Sequence, residues 1–181
     1  MIILLLSCGA RTAPSTEPQP TAYHDQFTVA AVARVPDPAR GGPPVHDGAS
    51  PLPPFLGVDR ATARYVGAEA CSTCHAEAAE VWSSSRHADS IRTLDAAGRG
   101  HDPRCLSCHV TGMGHPGGDR PGLAMVGCEA CHGPGSTHAA APASGYGVLP
   151  SDGAACVGCH THDTSPDFRW QAYWPAISHS R

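Results

Sequence analysis

A mainly α-helical fold with much irregular loop and little or no β-sheet is predicted for this 181-residue chain by three observations. Apolar residues recur at helical spacing only over short stretches. Those stretches are broken by 20 Gly and 18 Pro. A five-residue word then occurs four times: Cys71-Ser72-Thr73-Cys74-His75, Cys105-Leu106-Ser107-Cys108-His109, Cys128-Glu129-Ala130-Cys131-His132 and Cys156-Val157-Gly158-Cys159-His160. The first cysteines of successive words are 34, 23 and 28 positions apart, with unlike sequence between them. What repeats is therefore a site and not a supersecondary unit.

Cys-x-x-Cys-His is the attachment pattern of c-type haem. The two thiols add across the haem vinyl groups, and the adjacent His becomes the proximal iron ligand. Structural zinc also uses Cys-x-x-Cys pairs, but no zinc geometry requires a His directly after each pair. With 12 His in 181 residues, four such placements by chance have a probability on the order of 10⁻⁵. A disulfide framework needs no His at all. The expectation is four covalent haems on Cys71, Cys74, Cys105, Cys108, Cys128, Cys131, Cys156 and Cys159, with His75, His109, His132 and His160 proximal. Only 6% of residues are aromatic and 41% broadly hydrophobic, thin material for a conventional core. The polypeptide is expected to wrap a four-haem cluster that serves as its core.

Composition also narrows partners and compartment. All 12 basic residues are Arg, and the formal charge is −4 before haem propionates are counted. An acidic chain without basic patches is a poor nucleic-acid binder. Haem is attached to reduced cysteine pairs outside the cytoplasm, so export is expected. The ninth cysteine, Cys8, ends the run Leu5-Leu6-Ser7-Cys8. This run is similar to the lipobox of a bacterial lipoprotein signal, whose Cys is lipidated and tethers the protein. The apolar stretch is short and no Lys or Arg precedes it. Residues 1–8 are either the end of an export signal or a coincidental apolar run.

Residues 9–64 hold 10 of the 18 Pro and no haem word. Such composition makes a linker rather than a packed domain. Within it, Phe27 to Val35 has the Val-rich character of one short strand, and His24 and His46 read as solvated linker residues. The cytochrome domain is expected over residues 65–181. From Ala68 to Ser83, Ala70, Ala78, Val81 and Trp82 follow helical spacing, and a second helix runs through His87, Ile91 and Leu94 before Gly98. Thr111 to Gly118 cannot continue a helix, and its glycines permit close approach to a flat macrocycle. Gly133-Pro134-Gly135 ends the third word's helical turn at once. After the fourth word a Pro-bounded tail carries Phe168, Trp170, Tyr173, Trp174 and Ile177, aromatics suited to covering haem faces.

The second axial position of each iron decides whether a haem only carries electrons or also binds a substrate. Eight His remain once the proximal four are removed: His24, His46, His87, His101, His115, His138, His162 and His179. On one continuous helix His75 and His87 stand roughly 18 Å apart, whereas trans ligands of one iron are about 4 Å apart. His87 is therefore expected to reach the haem of another word, and His138, just past His132, likewise. Met113 follows His109 too closely to cross to the far face. His101, His115 and His162 read as surface or propionate-contacting residues, and Arg104 and Arg120 as propionate partners.

At several places the chain resembles the tetrahaem cytochrome c-554 family. The resemblance covers about Tyr65 to His179 and rests on Tyr65-Val66-Gly67, Trp82 with Ser85-Arg86-His87-Ala88, Cys108-His109-Val110-Thr111-Gly112 with Gly117-Gly118, and Val126 to Gly135. It implies distal ligands at His87, His138 and His179, with His138 serving the first haem, His179 the third and His87 the fourth. It also implies that the haem on His109 has no protein ligand on its distal side. The tail after the fourth word is short, so that His179 stands two residues from the end.

The function expected is a periplasmic or envelope-tethered tetrahaem c-type cytochrome that passes single electrons between redox protein partners. Bis-His ligation closes the iron to substrates and omits the Met that raises potential. One alternative is a small reductase, for example of nitric oxide, acting at an open haem on His109. Another is a haem module of a larger redox assembly, joined through its Pro-rich front.

Overall fold

The computed structural model describes residues 58, 61–118, 120, 122–149 and 151–179. Cys8, His24, His46 and the strand expected over residues 27–35 lie outside the described residues. Seven short helices follow one another: α1 (Ala68–Ser72), α2 (Ala76–Ser83), α3 (Ser90–Ala96), α4 (Pro103–His109), α5 (Cys128–His132), α6 (Ser136–Ala140) and α7 (Trp170–Tyr173), which runs into a 3₁₀ turn over Trp174–Ala176. No strand occurs among the described residues. The fold is thus mainly helical with irregular loops, as the sequence predicts.

The helix expected from Ala68 to Ser83 is two helices, because the chain breaks at His75 (φ −115°, ψ 51°). The break frees the His75 ring to meet a residue from another part of the chain, while Trp82 Nε1 still donates to Val126 O at 2.9 Å. A straight rod would aim both side chains along one axis. Three serines then end α2: the hydroxyls of Ser83, Ser84 and Ser85 donate to the carbonyls of Glu80, Val81 and Trp82. They add hydroxyl donors to the last-turn carbonyls, of which Glu80 O and Trp82 O also accept from the backbone N–H of Ser84 and Ser85. His87 lies beyond that end and shares no helix with His75.

A small apolar cluster joins α3 to α4. Leu94, Leu106, Val110 and Met113 are buried, with Ile91 and Cys105 packed against them. Each fully buried Leu contributes about 1.5–3 kcal/mol. Gly98 (φ 66°) closes α3 in the left-handed conformation, with Arg99 N–H donating to Leu94 O at 2.8 Å. Asp102 opens α4 as N-cap, accepting from Arg104 N at 3.0 Å, and Pro103 occupies the first turn.

Beyond α4 the chain turns through residues 111–118 and packs on Tyr65, which is only 3% exposed. A Cβ on Gly112 (φ +71°) would stand 2.7 Å from the Tyr65 ring. At this glycine the close approach is therefore to a tyrosine. Thr111 pins the same loop: its Oγ1 donates to Met125 O at 2.6 Å and accepts from Gly127 N at 2.8 Å. These bonds fix the chain entering the third haem word.

The first and third words are fastened by Glu129, a residue 3% exposed. Its carboxylate accepts from Val66 N at 2.9 and 3.0 Å, from Gly67 N at 2.7 Å and from Gly135 N at 2.7 Å. Arg64 N also donates to Ser136 Oγ at 2.7 Å, and Ser136 N donates back to Arg64 O at 3.0 Å. The N-terminal approach to α1 is thus tied to α5 and α6.

Two variants test this framework. Asp102→Ala should lower the stability of the haem-loaded protein by about 1 kcal/mol at pH 7, read from denaturant midpoints. The Arg104 guanidinium, with help from Arg99, holds the Asp102 carboxyl well below the usual range. A depressed pKa makes its contribution complete above about pH 4 and lost as pH falls through the folded value, so the gap between wild type and variant should close in acid. Gly112→Ala should cost more than about 1 kcal/mol, since both the left-handed backbone and the Tyr65 ring oppose a Cβ.

Candidate cofactor-binding site

Three of the four words are built on helix. Cys71 ends α1 and His75 caps α2, Cys105 to His109 form the last turns of α4, and Cys128 to His132 are the whole of α5. The fourth lies in turns, held by Thr164, whose Oγ1 donates to Cys159 O at 2.6 Å. The packing then sets thiols of different words side by side. Interaction between Cys71 and Cys128 pushes the Cys71 thiol up and that of Cys128 down, while Cys71 Sγ donates to Gly67 O at 3.6 Å. Cys159 is raised in the same way by its bond to Cys108, and burial pushes Cys131 up to about 12. Thiols of the first and third words, of the second and fourth, and of the third and fourth thus influence one another. Thioether formation removes these sulfurs from titration altogether.

Imidazoles converge in three pairs. The His75 and His138 ring centroids are 6.1 Å apart, those of His87 and His160 6.1 Å, and those of His132 and His179 5.8 Å. Each pair joins a motif His to a His from a distant segment. Two imidazoles on opposite faces of one iron have centroids about 6 Å apart, given roughly 2 Å for each Fe–N bond and about 1 Å from nitrogen to centroid. The donor chemistry and spacing of these residues fit haem, and no cluster of three or more zinc-type ligands occurs among the described residues.

Second partners orient the rings. His109 Nδ1 donates to Ser90 O at 3.0 Å, His132 Nδ1 to Gly147 O at 2.8 Å and His179 Nδ1 to Ile177 O at 3.0 Å. A carbonyl only accepts, so in each ring the proton sits on Nδ1 and the Nε2 lone pair is left for a metal. His160 Nδ1 lies 3.1 Å from Ser165 Oγ. His138 is held by the Tyr146 ring stacked 4.9 Å away. The Ala143 N–H approaches its Nδ1 only at 3.4 Å, too long to fix a tautomer. Burial lowers the pKa values of His87, His132 and His160, and neighbouring imidazoles lower them further. All three are neutral at pH 7, the form that coordinates iron.

His109 differs from the other proximal candidates. Among the described residues no imidazole forms a ring pair with it. His115 lies near the Tyr65 ring instead, at 6.5 Å. His101 and His162 are exposed, and Met113 is buried in the apolar cluster. Arg104 bonds to Asp102, while Arg120 Nη1 donates to Tyr65 O at 2.8 Å. In the tail, Phe168 stacks on His160 at 4.3 Å and Tyr173 on Phe168 at 5.5 Å.

Several supporting residues were not singled out from the sequence. Ser90 has its Oγ between His109 O and Val126 N. Tyr146 and Gly147 act on two different imidazoles, and a Cβ on Gly147 (φ +59°) would stand 2.7 Å from His132 O. Glu129 carried the one available signal, a charged residue inside a word otherwise made of small side chains.

Comparison with known proteins bears on the same residues. The family described as cytochrome c554 and c-prime matches residues 70–133, which contain the first three words. Cytochrome c-554 of Nitrosomonas europaea is 35% identical over 95 residues, 41% of this chain and 40% of that protein. The chain thus spans about two fifths of the length of the curated relative. A solved structure of reduced cytochrome c554 from Nitrosomonas europaea is 33% identical, covers 41% of this chain and 45% of that one, and superposes with a TM-score of 0.37. With three of its four attachment words inside the matched residues, this segment is similar to the cytochrome c-554 family, whose members carry covalent haem c.

Proposed function

We propose that the chain is a four-haem carrier of single electrons in the periplasm or cell envelope, working between redox protein partners. The observation that carries this is the set of three imidazole pairs, each with centroids 5.8–6.1 Å apart and each joining a motif His to another. On this reading the eight motif cysteines anchor four haems. His75 and His138 hold the first, His132 and His179 the third, and His87 and His160 the fourth. His109 is proximal to the second.

Haem c, when bound, supplies reversible one-electron reduction. The protein's part is to close three irons to outside ligands with a second imidazole, to fix ring orientation through Nδ1, and to group the sites. The mutual influence of thiols from the first and third, second and fourth, and third and fourth words supports short paths between neighbouring haems. Export follows from the chemistry of covalent attachment. Among the described residues no helix is long and apolar enough to cross a membrane, and a tether at Cys8 is part of the proposal.

A second reading, a small reductase at an open haem on His109, is favoured by the absence of a ring partner for His109 among the described residues. It differs from the carrier in needing an accessible iron.

A pyridine haemochrome assay should give four c-type haems per chain; two or fewer, or tightly bound zinc in their place, rejects the proposal. His87→Ala, His138→Ala and His179→Ala should each convert one low-spin haem to high spin by ferric EPR. A variant without that change removes its residue from the ligand set. Carbon monoxide binding to one haem in the reduced wild type supports the open site on His109, and none at all supports the pure carrier.

A further inference from the structure

Glu129 does more than fasten two segments: we infer that its buried charge holds down the reduction potentials of the haems on the first and third words. This rests on the four-haem reading above. The carboxylate is 3% exposed and receives four contacts of 2.7–3.0 Å from three backbone N–H groups. Both oxygens act as acceptors, the arrangement of an ionised carboxylate. No guanidinium or imidazole appears among those partners, so the N–H dipoles stabilise the charge without cancelling it.

Its field reaches anchoring sulfurs of both the first and third words. Glu129 adds a smaller upward push to Cys71, and at Cys128, whose pKa is lowered overall by Cys71, it likewise acts in the upward direction. It is adjacent to Cys128 in sequence, and through Val66 and Gly67 it grips the turn that leads into α1 and Cys71. A negative charge that disfavours a thiolate also disfavours adding an electron to a nearby haem. It stabilises the ferric state over the ferrous and lowers the potential. For a buried unit charge at this range, the ferric-to-ferrous equilibrium moves on the order of tenfold, which is about 59 mV for one electron. The haems on the second and fourth words, anchored away from Glu129, move less.

Glu129→Gln keeps the shape and removes the charge, while Glu129→Asp keeps the charge and disturbs the packing. Both are first checked for four haems and for the wild-type low-spin EPR signals, so that failure of the haem assignment shows separately from failure of this inference. Spectroelectrochemical titration of Glu129→Gln should raise two of the four potentials by about tenfold in the equilibrium, and Glu129→Asp should raise them clearly less. Equal shifts in the two variants, or none in Glu129→Gln, reduce Glu129 to a packing residue and overturn the inference. A wild-type measurement decides the matter if Glu129→Gln does not retain haem. With ¹³C-labelled glutamate, redox-difference infrared spectra of wild type should show a carboxylate band that shifts as the first- and third-word haems are reduced and that is absent from Glu129→Asp, which assigns it to Glu129. A band that stays fixed overturns the inference.

Discussion

Three imidazole pairs have to be held about 6 Å apart by pieces of chain that are far apart in sequence, and most of the fold is arranged to meet that condition. None of the helices exceeds eight residues, well below the length at which an isolated helix persists in water. The buried apolar side chains among the described residues are few: Ala63, Tyr65, Leu94, Leu106, Val110, Met113 and Leu123. Such a chain cannot order itself by apolar burial alone. On the proposed haem ligation, links joining His75 to His138, His87 to His160 and His132 to His179 would supply the missing long-range constraints. They also explain why the helices can be so short, since each needs only to present a few side chains at the right angle.

The remaining fastenings divide the work. Around the second word, α3 and α4 build a small apolar cluster. Between the first and third words it uses a polar device, the Glu129 carboxylate and its three N–H donors, which sets the chain direction at Val66 and Gly67. Around the fourth word there is neither helix nor apolar cluster, and hydroxyls and aromatic rings take over. Thr164 caps the Cys159 carbonyl, Phe168 lies on the His160 ring, and the Trp170 ring fills the space beside Gly153. The aromatic tail thus serves protein rings directly, a role the composition alone does not distinguish from covering haem.

Much of this was legible in the sequence because the chemistry is written in contiguous words. Spacing names the motif residues as haem-site candidates, and the mainly helical, loop-rich fold followed from short periodic stretches broken by Gly and Pro. The division of α1 from α2 was not legible. Ala-rich residues on both sides favour helix, and the break at His75 answers to His138, a residue too distant for periodicity to register. Ser90 was invisible for a related reason: it acts on the His109 ring 19 positions away, and a Ser carries no local mark of that. Tyr146 and Ser165 act on nearer rings, His138 and His160, but only through the turns between them. Likewise Gly112 was expected to admit a macrocycle, but the sequence could not say that Tyr65 would take that place.

The Nδ1 partners bring structure closest to function. His109, His132 and His179 all donate to backbone carbonyls, of Ser90, Gly147 and Ile177. A carbonyl acceptor does not depend on the side chain of its residue, only on the path of the backbone. Ligand orientation is therefore inherited from how the chain turns: the start of α3 at Ser90, and the left-handed Gly147, where a Cβ has no room. On the proposed haem ligation, a ring fixed in this way would not swing when the charge on its iron changes, and little motion on gain or loss of an electron is what a carrier requires.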